Sequence, residues 1–258
     1  VSYEWWPQRR GFVRNTLKKN KCDVIFGVPE GYDILQSTKP FYRSPYVFLY
    51  RADAGFEVSS LDDPVLRDLK IGVNLIGDDY MNPPPAHALG ARGIVGNVQG
   101  YAVYGDYDED SPPKEIVEAV ANGDVELAIV WGPVAGYWAQ RQDVEMTIRP
   151  LPAVDDSTGF PLAYSMSLGV RRGEEEWQAR LEKVIEQNQE KIYGILEGYH
   201  VPLLSLNAEG GGDDEGVPAD DAARGSGGGD EAASGASTPV ARLAADGRVP
   251  PASVLPSP

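Results

Sequence analysis

Residues 22–29 read CDVIFGVP and residues 125–131 read VELAIVW. Each is a short run of branched apolar residues bounded by polar or turn-forming ones. That pattern predicts a strand covered on both faces, as in the parallel sheets of α/β proteins. On the N-terminal side of the first run, residues 9–19 place Phe12, Val13 and Leu17 on one helical face, with basic residues outside. Before that, VSYEWW (1–6) is rich in strand-forming residues. On the C-terminal side, the loop 30–45 leads into YVFLYR (46–51), a further strand. Strand, helix, strand, loop, strand is the order of an α/β unit.

A second set surrounds VELAIVW. LKIGVNLIG (69–77) and NVQGYAVYG (97–105) read as strands, with a short proline-opened helix at 83–93 between them. Ser111 caps a helix with Pro112 in its first turn and Ile116, Val117 and Val120 as its buried stripe; Asn122 and Gly123 stop it. Gly132 and Pro133 open another helix that runs through Trp138, and MTIRPLP (146–152) is an edge strand. AYSMSLGV (163–170) is a strand of alternating character. The amphipathic stretch 173–199 is a long return helix expected to break near Gly194.

Composition narrows the function. The 258 residues carry a net charge of −16. From Asn207 onward there are nine acidic and three basic residues and no aromatic, which leaves −10 on the part before it. Acidity of that size argues against nucleic acid and anionic membranes as partners. The segment 205–258 is too poor in branched apolar residues to offset the entropy of ordering it, and is expected to be a disordered tail. No apolar run approaches the length of a membrane span. Cys22 is alone, so no disulfide joins the chain to itself, and it is expected to act as a small buried hydrophobe. His87 and His200 have no acid or cysteine at ligand spacing, and no nucleophile elbow or phosphate-binding glycine loop is present. No metal, cofactor or catalytic residue is expected.

In open α/β sheets, ligands sit outside the carboxyl ends of the strands. Those ends carry Trp6; then Pro29, Glu30, Tyr32 and Asp33; then Asp78, Asp79 and Tyr80; then Trp131 and Gly132. Each aromatic alone is as well explained by covering a core edge. Four tips together point to a ligand-binding cleft.

The order of these landmarks resembles the extracellular solute-binding proteins that serve polar amino-acid transporters. The resemblance covers residues 1 to about 204 and rests on CDVIFGVP, STKPFYRSPYVFLYR (37–51), ANGDVELAIVW (121–131) and the return helix. Four longer segments resemble the J proteins associated with quinoprotein methanol dehydrogenases (the MxaJ/XoxJ type): YEWWPQRRGFVRNTL (3–17), 27–48, 76–94 and 129–139. The resemblance implies a two-lobed type II periplasmic-binding-protein fold with two hinge crossovers, YVFLYR and SMSLGV (165–170). One lobe is expected from 1–51 with 172–204, the other from 52–171. It also implies a periplasmic accessory protein that docks a methanol dehydrogenase dependent on pyrroloquinoline quinone (PQQ) and assists its assembly or activation; the alternative is a transport receptor for a small neutral or cationic solute. The opening on a core-like strand predicts that a strand, a helix and a secretory leader are missing at the front. One departure favours the accessory reading. Amino-acid receptors place an arginine after the first buried strand to fork the ligand carboxylate, whereas here that stretch is Pro29, Glu30, Gly31, Tyr32.

Overall fold

The computed structural model describes residues 1–6, 12–75, 82–102, 112–206 and 238–242. Its strands are β1 (Ser2–Trp6), β2 (Val24–Pro29), β3 (Gln36–Ser37), β4 (Tyr42–Arg51), β5 (Ile71–Leu75), β6 (Val98–Ala102), β7 (Leu127–Trp131), β8 (Met146–Pro150), β9 (Ala163–Val170) and β10 (Thr238–Arg242). The helices are α1 (Phe12–Asn15), α2 (Pro84–Ala91), α3 (Glu115–Asn122), α4 (Gly132–Ala139), α5 (Glu175–Gln187) and α6 (Gln189–Gly198).

The ten strands follow the path β1-β10-β2-β9-β4-β7-β5-β6, with β3 beside β9 and β8 beside β4. One strand links the two halves of this path. The first part of β4, Tyr42–Pro45, pairs antiparallel with β9, and from Tyr46 on the same strand pairs antiparallel with β7. The first half is sandwiched between a cluster of Val13, Leu17, Cys22, Ile25, Val28 and Leu35 and one of Val24, Leu168, Val170, Leu181 and Ile185. The second half also has a cluster on each face. Phe48 and Tyr50 join Leu66, Ile71, Leu89 and Ile129 on one side, while Val47 and Leu49 join Ile116, Val120 and Val130 on the other. The alternation along β4 is the period-2 placement of side chains on a strand buried on both faces. The two-lobed, mixed α/β architecture is therefore as expected.

Several local expectations change. β7 and β6 do pair parallel to β5, but β2 has antiparallel neighbours, β9 and β10, and its Phe26 is 41% exposed. Apolar content shows that a strand is covered; it does not show which way its neighbours run. The crossover expected at SMSLGV lies just before it. Tyr46 N donates to Leu162 O at 2.7 Å, Leu151 N donates to Tyr46 O at 2.9 Å, and β9 then lies wholly among β2, β3 and the first part of β4. The strand thus pairs within the first half of the sheet.

The return helix breaks at Asn188, not near Gly194. Asn188 sits at φ −122° and its Nδ2 donates to Val184 O at 2.8 Å, a side-chain bond that competes with the helical ladder. Gly194 stays inside α6. From the segment expected as a tail, Thr238–Arg242 form β10, antiparallel to both β1 and β2. The N-capping Ser111 lies outside the described residues, while Ile116, Val117 and Val120 are buried as the stripe predicts. Among the described residues, no helix is long and apolar enough to cross a membrane.

Candidate functional site

The carboxyl ends of β2 and β7 meet at the place where β4 passes between the two halves. Pro29 ends β2 opposite Met166, and Glu30 N donates to Ser165 O at 2.9 Å. The next residue along β9, Tyr164, leans edge-on against Tyr46 and Trp131, with ring centroids at 6.5 and 5.9 Å. Tyr46 and Trp131 are register partners in the β4–β7 ladder, and their rings meet edge-to-face at 5.3 Å. One line of residues therefore runs from Glu30 through Ser165 and Tyr164 to Tyr46 and Trp131. Edge-to-face geometry sets the positive rim of one ring against the negative face of the next.

This places some expected residues together and separates others. Pro29, Glu30 and Trp131 reach the junction. Gly132, also expected, is buried beneath it: a Cβ there would lie 2.6 Å from Pro45 O and 2.7 Å from Ser44 Oγ. Tyr32 turns away and packs against the Val13–Leu17–Leu35 cluster, so it covers a core edge. Asp33 is exposed on the loop beyond it. Trp6 is placed by its backbone at the end of β1, opposite Thr238. Asp78, Asp79 and Tyr80 lie outside the described residues. Sequence reading missed Tyr46 and Tyr164. Their signal was present, since each stands at or near the start of a strand (β9 and the YVFLYR run) rather than at a carboxyl end. In an antiparallel ladder, the start of one strand lies beside the end of its neighbour.

The junction pairs uncharged aromatic rings with the exposed Glu30 at their edge. Burial pushes the Tyr42 hydroxyl up to about 12. Burial, with the neighbouring Tyr164 second, pushes that of Tyr46 well above the usual phenol range. Both stay protonated at neutral pH and can donate a hydrogen bond. Cys22, on the far side of β2, is raised to about 11, chiefly by burial, and is therefore a thiol with little nucleophilic character. A separate apolar recess lies among Val13, Leu17, Ile34 and Leu35, with Arg171 at its rim. That guanidinium is already engaged by Glu174 at 2.7 Å, Asp23 at 3.2 Å and the carbonyls of Leu17 and Cys22. It is a structural cross-tie between α5 and β2. Among the described residues, no group of three His, Cys, Asp or Glu side chains is placed to hold a metal.

The three-ring cluster should behave as an energetic unit. A double-mutant cycle of Trp131→Ala and Tyr164→Ala, read by denaturant unfolding, is expected to show a coupling of about 0.5–1.5 kcal/mol. A coupling of zero would mean that the rings touch without interacting.

A junction with two crossings and tips from both halves is the geometry of a two-lobed binding protein, and comparison with known proteins makes this specific. Protein MoxJ of Paracoccus denitrificans is 30% identical over 210 residues, which span 74% of this chain and 71% of the relative. The chain belongs to the MoxJ family. Protein MoxJ of Methylorubrum extorquens is 26% identical over 201 residues, or 76% of this chain and 67% of that one. The crystal structure of the periplasmic binding protein XoxJ from Methylobacterium extorquens AM1 superposes with a TM-score of 0.61 at 32% identity, covering 77% of this chain and 80% of the other. No family model matches the sequence. As a MoxJ-family chain with this fold, the protein is solute-binding-like in architecture.

Proposed function

We propose that this protein is a periplasmic accessory protein that docks a PQQ-dependent methanol dehydrogenase and assists its assembly or activation. On this reading it has no catalytic role and no cofactor of its own. Membership of the MoxJ family supports this reading, as does the periplasmic binding protein that superposes on the chain. The observation that carries it is at the junction. Where an amino-acid receptor needs a guanidinium to grip a carboxylate, β2 ends in Pro29 and an exposed Glu30, beside rings that bear no charge. A carboxylate ligand would meet Glu30 unpaired, and like charges repel. The two-lobed frame is then used as a docking body. Titration calorimetry of the purified protein against its cognate dehydrogenase is expected to give saturable heat. A flat titration combined with unchanged dehydrogenase activity would sink the proposal.

The Tyr46–Trp131–Tyr164 surface with Glu30 at its edge favours one second reading: a transport receptor for a small neutral or cationic solute, drawing also on Asp78 and Asp79. Aromatic faces attract cations, and a carboxylate completes such a site. A thermal-shift screen separates the two readings. A ligand that binds only the native state raises its midpoint, so a large shift with one small metabolite supports the receptor.

A further inference from the structure

We propose that the segment from Tyr199 to Leu204 is a latch that holds the two halves of the protein at one angle, so that opening the junction requires this segment to leave helix α4. This goes beyond the docking reading and does not depend on it.

The segment leaves α6, which packs with the first half of the sheet, and crosses onto α4 and β4. At its start the chain turns back on the helix. His200 N donates to Glu197 O at 2.8 Å and Val201 N to Leu196 O at 3.0 Å. His200 itself adopts φ 54°, the left-handed region that a side-chain-bearing residue enters at a cost. Contacts of its neighbours with α4 hold that conformation. The Tyr199 ring stacks on Tyr137 of α4, with centroids 5.6 Å apart and planes 19° from parallel, and the Arg141 guanidinium lies 3.6 Å from the centroid of Tyr137.

The backbone then presses directly onto the helix. A Cβ on Gly136 would lie 2.0 Å from the carbonyl oxygen of His200 and 3.3 Å from Pro202 Cδ; one on Gly132 would lie 3.4 Å from the same Cδ. Only glycine at 136 permits this approach, because the clashing atom is backbone and cannot swing aside. Beyond α4, the fully buried Ser44 hydroxyl donates to Pro202 O at 2.6 Å, and Leu204 N donates to Arg43 O at 2.9 Å. Arg43 and Ser44 lie immediately before the point at which β4 changes partners from β9 to β7.

The two crossings at Pro45/Tyr46 and Leu162/Ala163 are adjacent, because Tyr46 N bonds Leu162 O. Two neighbouring crossings form a hinge line, about which lobes of this kind rotate. The segment 199–204 is a third tie between the halves. It is anchored to α4 on one side and to α6 and the first part of β4 on the other. Rotation about the hinge line displaces α4 relative to α6 and must break the Tyr199–Tyr137 stack and the His200–Gly136 contact.

The test uses the full chain with spin labels on cysteines replacing Val95 and Val184, which are 65% and 51% exposed on opposite halves; Cys22, fully buried, remains unlabelled. Pulsed dipolar distance measurement is expected to give one narrow distance for the otherwise unchanged protein. Gly136→Val is expected to add a second, distinct distance. Ser44→Ala and Tyr199→Ala, which create no clash, are each expected to bring that second distance, absent from the parent trace, to a resolved fraction of the distribution. If Gly136→Val fails to fold, the other two variants decide. A single unchanged distance in Ser44→Ala and Tyr199→Ala, with native circular dichroism, overturns the latch. So does a two-distance distribution in the parent. Neither outcome involves a dehydrogenase, so failure of the latch is distinct from failure of the docking reading.

Discussion

Replacing Arg92 by alanine is expected to destabilise the protein by about 3–5 kcal/mol, the usual consequence of leaving one partner of a buried ion pair behind. Arg92 follows α2, and its side chain is 8% exposed. Its guanidinium forks Asp62 through Nε and Nη2 at 2.7 and 3.2 Å, and Nη2 also faces Asp155 Oδ1 at 2.8 Å. The two acids are not equivalent. Asp62 is 71% exposed and can be solvated by water once Arg92 is gone, whereas Asp155 is 1% exposed. Asp155 Oδ2 accepts from the Thr158 hydroxyl at 2.6 Å and its backbone N at 3.0 Å, so Arg92 supplies the counter-charge for Oδ1. Urea unfolding checks the magnitude. Asp62→Asn should cost much less than Arg92→Ala, and adding Asp155→Asn to Arg92→Ala should recover part of the loss.

The same network sets an acid limb. Burial pushes the Asp155 carboxyl up, but the ion pair with Arg92 and the hydrogen bonds from Thr158 together outweigh it and hold the group below the usual aspartate range. Asp62 is also held low, first by its Arg92 hydrogen bond. A carboxyl whose folded-state pKa is depressed binds protons more readily when unfolded. Its stabilisation is therefore complete above the unfolded value of about 3.9 and is lost as pH falls through the folded value. Arg92→Ala removes the depression, so this part of the acid limb should flatten: starting from a lower stability at neutral pH, the variant should lose less than the parent as pH falls below about 3.9.

The second large effect is at Phe48. Substitution by alanine is expected to cost about 3–5 kcal/mol, because the ring is fully buried and the space it leaves cannot collapse. Phe48 stands in the middle of β4, which has β7 on one side and β8 on the other. Its ring joins Leu66, Ile71, Leu89, Ile129 and Leu162. Leu49, the next residue, points into the opposite cluster with Val120 and Val130. Leu49→Ala should cost about 2–5 kcal/mol through a separate cavity. Because β4 also builds the junction, both variants should lose any binding in proportion to their unfolded fraction. They should not weaken the contact itself.

Much of this fold is legible from local pattern. The apolar runs at 22–29 and 125–131, the Ile116–Val117–Val120 stripe and the Gly132–Pro133 helix start are all set by neighbours within a few residues, and the structure has them where the pattern puts them. What local pattern does not contain is pairing at long range. The direction of β9 beside β2 and the meeting of Arg92 with Asp62 and Asp155 join residues tens to well over a hundred positions apart. A run of apolar residues carries no label for its partner. The site divides in the same way. Trp131 and Glu30 are readable as strand tips, while Tyr46 and Tyr164 reach the junction through antiparallel register, which becomes visible with the ladders. Tyr32 shows the converse: an aromatic beside a strand end that packs into a core edge.

The most direct test of the account is reconstitution of the cognate methanol dehydrogenase with and without this protein, at equal PQQ and metal, followed by its activity. The docking account predicts a higher yield of active dehydrogenase when this protein is present. An identical yield, together with a large thermal shift of this protein by a single small metabolite, would contradict it.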